Sequence, residues 1–263
     1  MIDIHTHIIP GVDDGASSTT EALKILKVAR ADGVKAMVAT PHVFSHVSKF
    51  SDLGEYRRRF FELKKKAAEL QIGMEIIPGA EVFFVSDLRE KLKTYKDLLT
   101  INDSDYFLLE FPPAVVFPGS REYIFNLVSD GFIPIICHPE RSPVFRHDPL
   151  ILYQLLQVGA LAQIDAGSLR GSFGSAAYAA AIELLKYNMV HVIASDCHDP
   201  GNRSPGLSFL YKKLSSLGKH KIDMLVEGIP LAIVNNNAIP DIGPMVEPGK
   251  KSTFVDFLRG MLK

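Results

Sequence analysis

Short runs of apolar residues alternate along the chain with longer segments whose apolar residues repeat at helical spacing. The short runs have the length and the β-branched content of buried strands. They predict seven strands, at Ile2–His5, Ala36–Thr40, Glu75–Glu81, Tyr106–Glu110, Ile133–Cys137, Leu161–Asp165 and Val190–Ala194. Strands separated by helices are typical of an α/β protein with a parallel sheet, which can be open or closed into a barrel.

The longer segments predict amphipathic helices, because their apolar residues recur three and four positions apart. They cover Thr19–Asp32, Gly54–Leu70, Ser120–Asp130, Pro149–Val158, Ser175–Tyr187 and Pro205–Leu217. Four glycines stand where helices should end, as expected of C-caps: Gly33, Gly131, Gly159 and Gly218. We find no internal repeat or linker, so we expect one domain over residues 1–263, with 240–263 as a peripheral C-terminal arm or helix.

Metal-binding side chains follow nearly every predicted strand. In a parallel fold the carboxyl ends of the strands meet on one face, so these side chains should converge there. Residues i and i+2 of a strand point to the same side, which lets the two histidines of a His-x-His pair reach one ion. The candidate ligands, in chain order, are His5, His7, Asp14, His42, Glu81, Glu110, His138, Asp196 and His198.

Nine candidate ligands are too many for one tetrahedral ion, which takes four. Two or three divalent ions, with a carboxylate such as Glu81 bridging, would use the whole set. Imidazole and carboxylate donors without thiolate favour Mn, Fe, Zn or Co. Such ions lower the pKa of a bridging water and polarise a phosphoryl oxygen, which suits hydrolysis of a phosphate ester. Buried carboxylates without a compensating charge are costly, which disfavours a purely structural interpretation.

Two arginines are candidates for contact with the substrate. Arg141 follows His138 by three residues, and Arg203 lies in the loop after His198. Both should overhang the metal face, where a guanidinium group matches phosphate bidentately. The alternative is that each is an ordinary surface arginine. Three further acidic residues near this face have roles that the sequence leaves open, Asp13, Asp165 and Asp199.

Composition and charge narrow the class of protein. The chain has 263 residues, 47% hydrophobic and 22% charged, with a formal net charge of −1. These values exclude a disordered chain and disfavour a nucleic-acid partner, which normally requires a basic surface. The N-terminus lacks the features of a signal peptide, and no apolar run reaches the roughly 18 residues of a membrane span. The expected location is therefore the cytoplasm.

The two cysteines favour neither a disulfide framework nor a cysteine nucleophile. Two thiols cannot build a disulfide framework, which indicates a reducing compartment. Cys137 has Arg141 only four residues later, with Pro139 between them, whereas a cysteine-dependent phosphatase places its arginine six residues on. A buried structural cysteine is the favoured interpretation of Cys137 and also of Cys197.

The ordered set of motifs resembles the PHP (polymerase and histidinol phosphatase) metallohydrolase superfamily. From Met1 to about Pro240 it is similar to the bacterial tyrosine-phosphatase branch found with capsular and exopolysaccharide gene clusters. This resemblance implies a distorted TIM-like (β/α)7 barrel with a trinuclear cluster, usually supported by manganese, at the carboxyl ends of the strands. The motifs are His5-x-His7, Asp13-Asp14-Gly15, Thr40-Pro-His42, Gly79-Ala-Glu81, Glu110-Phe-Pro, His138-Pro-Glu-Arg141 and Ser195-Asp-Cys-His198.

The resemblance also implies individual roles. One ion would take His5, His7, Glu81 and Asp196; a second Glu81, Glu110 and His138; a third Asp14, His42 and His198. Arg141 and Arg203 correspond to arginines that hold the substrate phosphate. The implied substrate is phosphotyrosine in the tyrosine-rich tail of a bacterial autokinase that controls polysaccharide synthesis. The chain departs from the family pattern at Asp165, where asparagine is frequent.

Three other functions stay open at the level of sequence. A phosphatase for a small monoester such as histidinol phosphate would use the same ligands. A nuclease acting on phosphodiesters is disfavoured by the near-neutral charge. A regulatory metal-binding protein would bind the kinase without hydrolysing any phosphoester. The oligomeric state is not predicted.

Overall fold

Within the part of the chain that the structure describes, nine parallel strands form the centre of the molecule. The computed structural model describes residues 1–49 and 52–249. The strands form a three-stranded sheet in the order β1-β2-β4 and a six-stranded sheet in the order β3-β5-β6-β7-β8-β9. Their bounds are β1 Ile2–Thr6, β2 Ala36–Ala39, β3 His42–Val43, β4 Glu75–Pro78, β5 Glu81–Phe83, β6 Tyr106–Glu110, β7 Ile133–Cys137, β8 Leu161–Asp165 and β9 Val192–Ala194.

Two of the seven predicted strands are interrupted, which raises the number of strands to nine. β2 continues into β3 after a break at Pro41, a residue that has no N–H to donate to a neighbouring strand. β4 continues into β5 after a break at Gly79, whose carbonyl accepts a hydrogen bond from the Tyr56 hydroxyl at 2.6 Å. Apart from these two breaks, the seven predicted strands are confirmed in place and order. The last of them begins at Val192 rather than Val190.

The first and last strands lie side by side and bring the two sheets into one barrel. The Asp196 N–H donates to the His5 carbonyl at 3.0 Å, and the His7 N–H donates to the Cys197 carbonyl at 2.9 Å. An isolated parallel bridge joins Thr6 to Cys197. The result is the expected distorted TIM-like α/β barrel, in which the join between β1 and β9 rests on these few contacts.

Helices separate the strands and cover the outside of the barrel. Five predicted helices, now α1, α2, α5, α7 and α9, are confirmed to within one residue at each end. All four predicted C-cap glycines have positive φ, between 76° and 105°. The bounds are α1 Thr19–Ala31, α2 Leu53–Glu69, α3 Leu88–Thr94, α4 Lys96–Leu99, α5 Ser120–Ser129, α6 Pro143–His147, α7 Pro149–Gln157, α8 Ala166–Arg170, α9 Gly174–Lys186, α10 Leu210–Lys213, α11 Lys219–Asp223 and α12 Ile229–Val234.

The predicted helix Pro205–Leu217 is wrong over most of its length. Only Leu210–Lys213 is α-helical, and a 3-10 turn follows at Ser215–Leu217. Asp32, at the end of α1, accepts hydrogen bonds from the N–H groups of Leu207 and Ser208 at 2.6 and 2.8 Å. These contacts hold the backbone before α10 as a loop against α1, a constraint that local periodicity does not contain.

The barrel interior is apolar at the end where the strands begin. Ile4, Leu108 and Ile135 belong to one buried cluster, against which Ile229 and Ile233 of α12 pack. This end is plugged by α12. A second, larger apolar layer fills the space between the strands and the outer helices. Polar groups are therefore left to collect at the opposite end, where the strands finish.

The segment after residue 240 docks on the end of α9. The Asn188 side-chain amide donates to the Ile242 and Gly243 carbonyls at 2.9 and 3.0 Å, and the Val246 N–H donates to the Tyr187 carbonyl at 2.8 Å. The remainder of the predicted arm, 250–263, lies outside the described residues. Within the described ranges, no helix combines the length and the apolar character that a membrane crossing requires.

Candidate metal centre

Four ligand atoms converge at the join between β1 and β9. The Nε2 atoms of His5 and His7 lie 3.2 Å apart. The Glu81 Oε2 atom lies 3.2 and 3.3 Å from them, and the Asp196 Oδ1 atom 3.5 and 3.3 Å. His5, His7 and Glu81 are fully buried, and Asp196 is almost so. Three of the ligands that the resemblance implied for the first ion, His5, His7 and Glu81, therefore form one group. The fourth, Asp196, lies beside the two histidines.

The geometry of this group fits a transition metal ion. Donors about 2.1 Å from a central ion lie about 3.4 Å from one another when the arrangement is tetrahedral, close to the separations among His5, His7 and Glu81. The Asp196 Oδ1 atom has such separations to the two histidines. The Nδ1 atom of His5 lies 2.8 Å from the Gln163 side-chain oxygen, and the Nδ1 atom of His7 lies 2.8 Å from Asp13. With the proton held on Nδ1, each histidine presents the Nε2 lone pair to the centre.

A second group lies at the rim. The Asp14 Oδ1 atom is 3.5 Å from the His42 Nε2 atom and 3.3 Å from the His198 Nε2 atom. The His198 Nδ1 atom lies 3.0 Å from the Asp196 carbonyl, which leaves Nε2 free to ligate. Asp14 is the exposed member of this group, with 43% of its side chain accessible. A cation here would stand between the buried cluster and solvent.

The other face of Glu81 forms a third group. The His138 Nε2 atom lies 2.9 Å from the Glu81 Oε1 atom. On the other side, the His42 Nδ1 atom lies 2.9 Å from the Glu81 Oε2 atom and 3.5 Å from Glu110. His42 thus faces two groups, whereas the resemblance placed it with Asp14 and His198 alone. A neutral imidazole has one lone pair, so it ligates one ion at a time.

The pKa values of these buried groups are shifted by the charges of their neighbours. Burial alone would lower the pKa of His42, but the Glu81 carboxylate raises the pKa to about 10. Burial is likewise overcome at His138, where the hydrogen bond to Glu81 raises the pKa to about 9. The pKa of Glu81 is held well below its usual range, against its burial, by His5 and His42. Positive charge is therefore strongly favoured around this carboxylate.

Three buried atoms of the cluster lack a hydrogen-bond partner among the described residues, the Glu81 Oε2, His42 Nδ1 and His198 Nε2 atoms. Such atoms are rare in folded proteins and require an explanation. All three lie within the candidate metal groups. Close approach without hydrogen-bond geometry is the arrangement of ligands around an ion.

Local backbone features hold the ligands in place. Gly15 has no room for a side chain, since a Cβ atom there would lie 2.2 Å from the His7 carbonyl oxygen. The loop that carries Asp14 can therefore fold tightly over the end of β1. Asp196 and His138 both have positive φ, 50° and 33°, which is unfavourable for residues other than glycine. Backbone strain of this kind is concentrated at functional sites.

Both predicted arginines reach the cluster through one atom. The Asp196 Oδ2 atom accepts from Arg141 at 2.6 Å and from Arg203 at 2.5 Å. The two oxygens of Asp196 therefore have different partners: Oδ2 binds the two arginines, and Oδ1 faces His5 and His7. Arg141 also donates to Asp165 at 3.0 Å. About 30% of each arginine side chain is exposed, so both guanidinium groups border solvent beside the cluster.

The structure assigns contacts to the acidic residues left open by the sequence. Asp13 accepts from the His42 and Gly15 N–H groups as well as facing His7. Asp165 is buried and paired with Arg141. Asp199 caps its own loop by accepting from the N–H groups of residues 201 and 202.

Gln163 is a site residue that the sequence did not reveal. Its side chain connects His5 to Asp165, to which it donates at 2.9 Å. The available signal was its position two residues before Asp165 on the same strand, which places both side chains on one face. Cys137 and Cys197 are buried free thiols, and burial raises the pKa of both. Neither resembles a thiolate nucleophile.

The barrel and its strand-end ligands define an α/β metal-binding protein of the TIM-barrel type. More specifically, the chain belongs to the CpsB/CapC family of capsular polysaccharide synthesis, whose profile matches residues 1–234.

Curated relatives cover most of the chain. Tyrosine-protein phosphatase YwqE of Bacillus subtilis is 34% identical over 236 residues, 89% of this chain and 92% of its own. Tyrosine-protein phosphatase CpsB of Streptococcus pneumoniae is 28% identical over 245 residues, 91% of this chain and 100% of its own. A solved structure described as YwqE and CpsB, unique metal-dependent tyrosine phosphatases, matches with a TM-score of 0.87 and 30% identity, covering 94% of this chain and 99% of that one.

Proposed function

We propose that this protein is a metal-dependent phosphatase that hydrolyses phosphotyrosine on protein substrates. The observation that carries the proposal is the division of Asp196, with one oxygen facing two histidines and the other bound by two arginines. This places a cation-binding group and an anion-binding group on either side of one carboxylate. The similarity to YwqE and CpsB supports the same reaction.

The nine predicted ligands would hold three ions. The first takes His5, His7, Glu81 and Asp196. The second takes Glu81, Glu110 and His138, and the third Asp14, the Nε2 atom of His42, and His198. This division uses each imidazole once and leaves Glu81 as the bridge, since its carboxylate lies within 3.3 Å of four histidines. We propose manganese as the physiological metal, as the resemblance to the PHP superfamily implies. The imidazole and carboxylate donors, without thiolate, are compatible with manganese as well as with Fe, Zn or Co.

The chain's own residues bind and orient the phosphoryl group. Arg141 and Arg203 lie at the solvent edge of the cluster, where their guanidinium forks match two phosphoryl oxygens. Asp165 holds Arg141 from behind, which restricts its rotation before substrate arrives. When bound, the metal ions supply activation of water and stabilisation of the charge that develops on phosphorus.

Substitution of ligands and of a thiol tests the mechanism. We expect His42→Ala and Asp196→Ala to remove nearly all activity on a phosphotyrosine peptide. Cys137→Ser should retain most of it, because the buried thiol takes no part. Loss of activity in Cys137→Ser, with its metal content intact, would overturn the mechanism.

The substrate class requires a direct comparison. We expect a higher kcat/KM for a phosphotyrosine peptide than for histidinol phosphate, which would use the same ligands. The reverse ranking would make the protein a small-molecule phosphatase. Metal analysis of the purified protein should find at least two equivalents of transition metal under replete conditions, and fewer would count against the cluster.

We further propose that the partner is a cognate bacterial tyrosine kinase whose tyrosine-rich tail is the substrate. The supporting observation is membership of a capsular polysaccharide synthesis family. The two buried free thiols agree with a cytoplasmic site of action, where cysteines stay reduced. Co-purification of the kinase with a substrate-trapping Asp196→Ala variant would test this partner.

A further inference from the structure

One aromatic ring lies against both arginines of the site. The Arg141 guanidinium carbon is 4.4 Å from the centre of the Phe173 ring, and the Arg203 guanidinium carbon is 5.7 Å from it. Both distances fall within the range of cation–π attraction. The ring therefore contacts the two cations that also share Asp196. From this geometry we propose that Phe173 is a positioning residue that holds Arg141 and Arg203 together as one phosphate-binding clamp.

The proposal rests on the proposed function, in which these arginines bind the phosphoryl group. Two guanidinium groups that donate to the same Asp196 oxygen repel each other. The negative face of an aromatic ring attracts both cations without offering a second acceptor that would compete with phosphate. The Arg203 Nε atom is buried and has no hydrogen-bond partner among the described residues. Packing on the ring thus compensates for a hydrogen bond that Arg203 lacks.

The fold fixes the ring in this place. Phe173 lies in the turn between α8 and α9, and the glycines on either side, Gly171 and Gly174, have φ of 91° and 86°. The Ser172 N–H donates to the Gly167 carbonyl at 2.9 Å, which closes the turn. A Cβ atom on Gly167 would lie 2.7 Å from the ring. The ring is therefore seated directly on the backbone of α8.

Phosphate binding by the metal-loaded protein provides the test. Calorimetric titration with inorganic phosphate measures the clamp without requiring turnover. We expect Phe173→Leu to weaken binding about tenfold, from the loss of two cation–π contacts. Phe173→Tyr should restore binding to within about twofold, because the aromatic face is retained. The metal content of both variants should match that of the wild type.

The chain offers a matched control. Phe60 of α2 lies under Lys64, with 5.8 Å between the Lys64 Nζ atom and the ring centre. Phe60→Leu makes the same change in the same kind of contact and should leave phosphate binding unchanged. If Phe173→Leu fails to fold, Gly167→Ala serves instead, because it displaces the ring without deleting it, and it should weaken phosphate binding in the same direction.

Substrate comparison separates a clamp from direct recognition of the tyrosine ring. A clamp predicts that kcat/KM for phosphotyrosine and phosphoserine peptides falls by the same factor in Phe173→Leu. Unchanged phosphate binding, or a loss confined to the aromatic substrate, would overturn the proposal. Weaker phosphate binding in a protein whose wild type never hydrolyses phosphotyrosine would preserve the clamp and reject the proposed function.

Discussion

At His5 the ring nitrogen that faces away from the cluster meets a side chain outside the ligand set. The Gln163 oxygen lies 2.8 Å from that Nδ1 atom, and its amide nitrogen donates to Asp165 at 2.9 Å. Asp165 in turn accepts from Arg141. One chain of hydrogen bonds thus connects a candidate metal ligand, His5, to Arg141, the arginine that we propose binds phosphate. A hydrogen bond to the ring nitrogen that does not face the metal fixes the tautomer and orientation of a ligating histidine.

We therefore expect Gln163→Ala to weaken metal binding by about 10- to 100-fold, the range typical of lost outer contacts. Competition against a chelator of known affinity would measure the change. Gln154→Ala is the matched control, because Gln154 is an exposed residue of α7. Wild-type metal affinity in Gln163→Ala would show that His5 holds its orientation by packing alone.

The clustering of the candidate ligands was predictable from the sequence, whereas the residues that support them were not. Histidine and carboxylate side chains at strand ends are conspicuous because water-free surroundings disfavour them without a partner. Gln163 gives no such signal, since an amide is compatible with many buried positions. Phe173 gives no signal either. Its contact with the two arginines depends on the turn between α8 and α9, which is far along the sequence from both of them.

Among the elements, the loop after β1 sets the position of the rim ligand Asp14. The Ala16 N–H donates to the His7 carbonyl at 2.9 Å, and Gly15 lies directly against the same carbonyl. A methyl group on Gly15 would meet backbone, which cannot move aside as a flexible side chain can. The loop would have to lift away from β1, carrying Asp14 with it.

We expect Gly15→Ala to destabilise the fold by about 1–3 kcal/mol, the range of overpacking substitutions. It should also weaken the binding of one metal equivalent, the one held by Asp14. Thermal unfolding and metal titration would measure the two effects. Gly228→Ala is the control, because the nearest contact of its Cβ atom would be the flexible Met224 sulfur at 3.2 Å. Equal effects of the two substitutions would contradict the account of the loop.

Tertiary contacts decided the elements that the sequence predicted wrongly. The periodicity over Pro205–Leu217 is real, but Asp32 holds the N–H groups of Leu207 and Ser208 in a loop. The strand break at Gly79 likewise depends on the Tyr56 hydroxyl, which comes from α2. Helices with a clear apolar stripe and a glycine stop were predictable because their information is local.

The pairing of β8 with β9 contains a pH-sensitive contact. The Nδ1 atom of His191 accepts from the Ala162 N–H at 3.2 Å, and the His191 N–H donates to the Ala162 carbonyl at 2.9 Å. Burial, helped by the nearby Lys221 charge, lowers the pKa of His191 to about 4. The unfolded chain takes up a proton near pH 6.5, so stability is complete above that pH and is lost as the pH falls toward 4.

Protonation of His191 in the unfolded chain lowers the free energy of unfolding by about 2 kcal/mol between pH 7.5 and pH 5. We expect His191→Asn to lose correspondingly less over that interval, because the asparagine oxygen accepts the same hydrogen bond without titrating. Urea unfolding of chelated protein at both pH values measures the difference, and subtraction cancels the groups common to both chains. His220→Asn, at an exposed position, should retain the wild-type dependence. Parallel curves for His191→Asn and the wild type would exclude His191 as the source.

Across the whole molecule, the candidate metal cluster lies where β1 meets β9, a join made by few backbone contacts. Residues near the N-terminus and residues almost two hundred positions later meet there through the His5–Asp196 and His7–Cys197 backbone hydrogen bonds. The ligands of the first ion lie on both sides of this join. An ion bound by both sides would therefore close the barrel as well as prepare the site for phosphate.

Removal of the metal should consequently loosen one place rather than the whole fold. Without ions, the Glu81 Oε2, His42 Nδ1 and His198 Nε2 atoms have no hydrogen-bond partner among the described residues. We expect chelation to accelerate amide hydrogen exchange at His7 and Asp196, whose N–H groups cross the join. The amides of Leu152 and Leu156 in α7, which packs on the outer layer, should change little. Mass spectrometry of chelated and manganese-loaded protein would compare these segments. Uniform acceleration along the chain would mean that the ions stabilise the fold globally, and unchanged exchange at the join would mean that hydrogen bonds alone close the barrel.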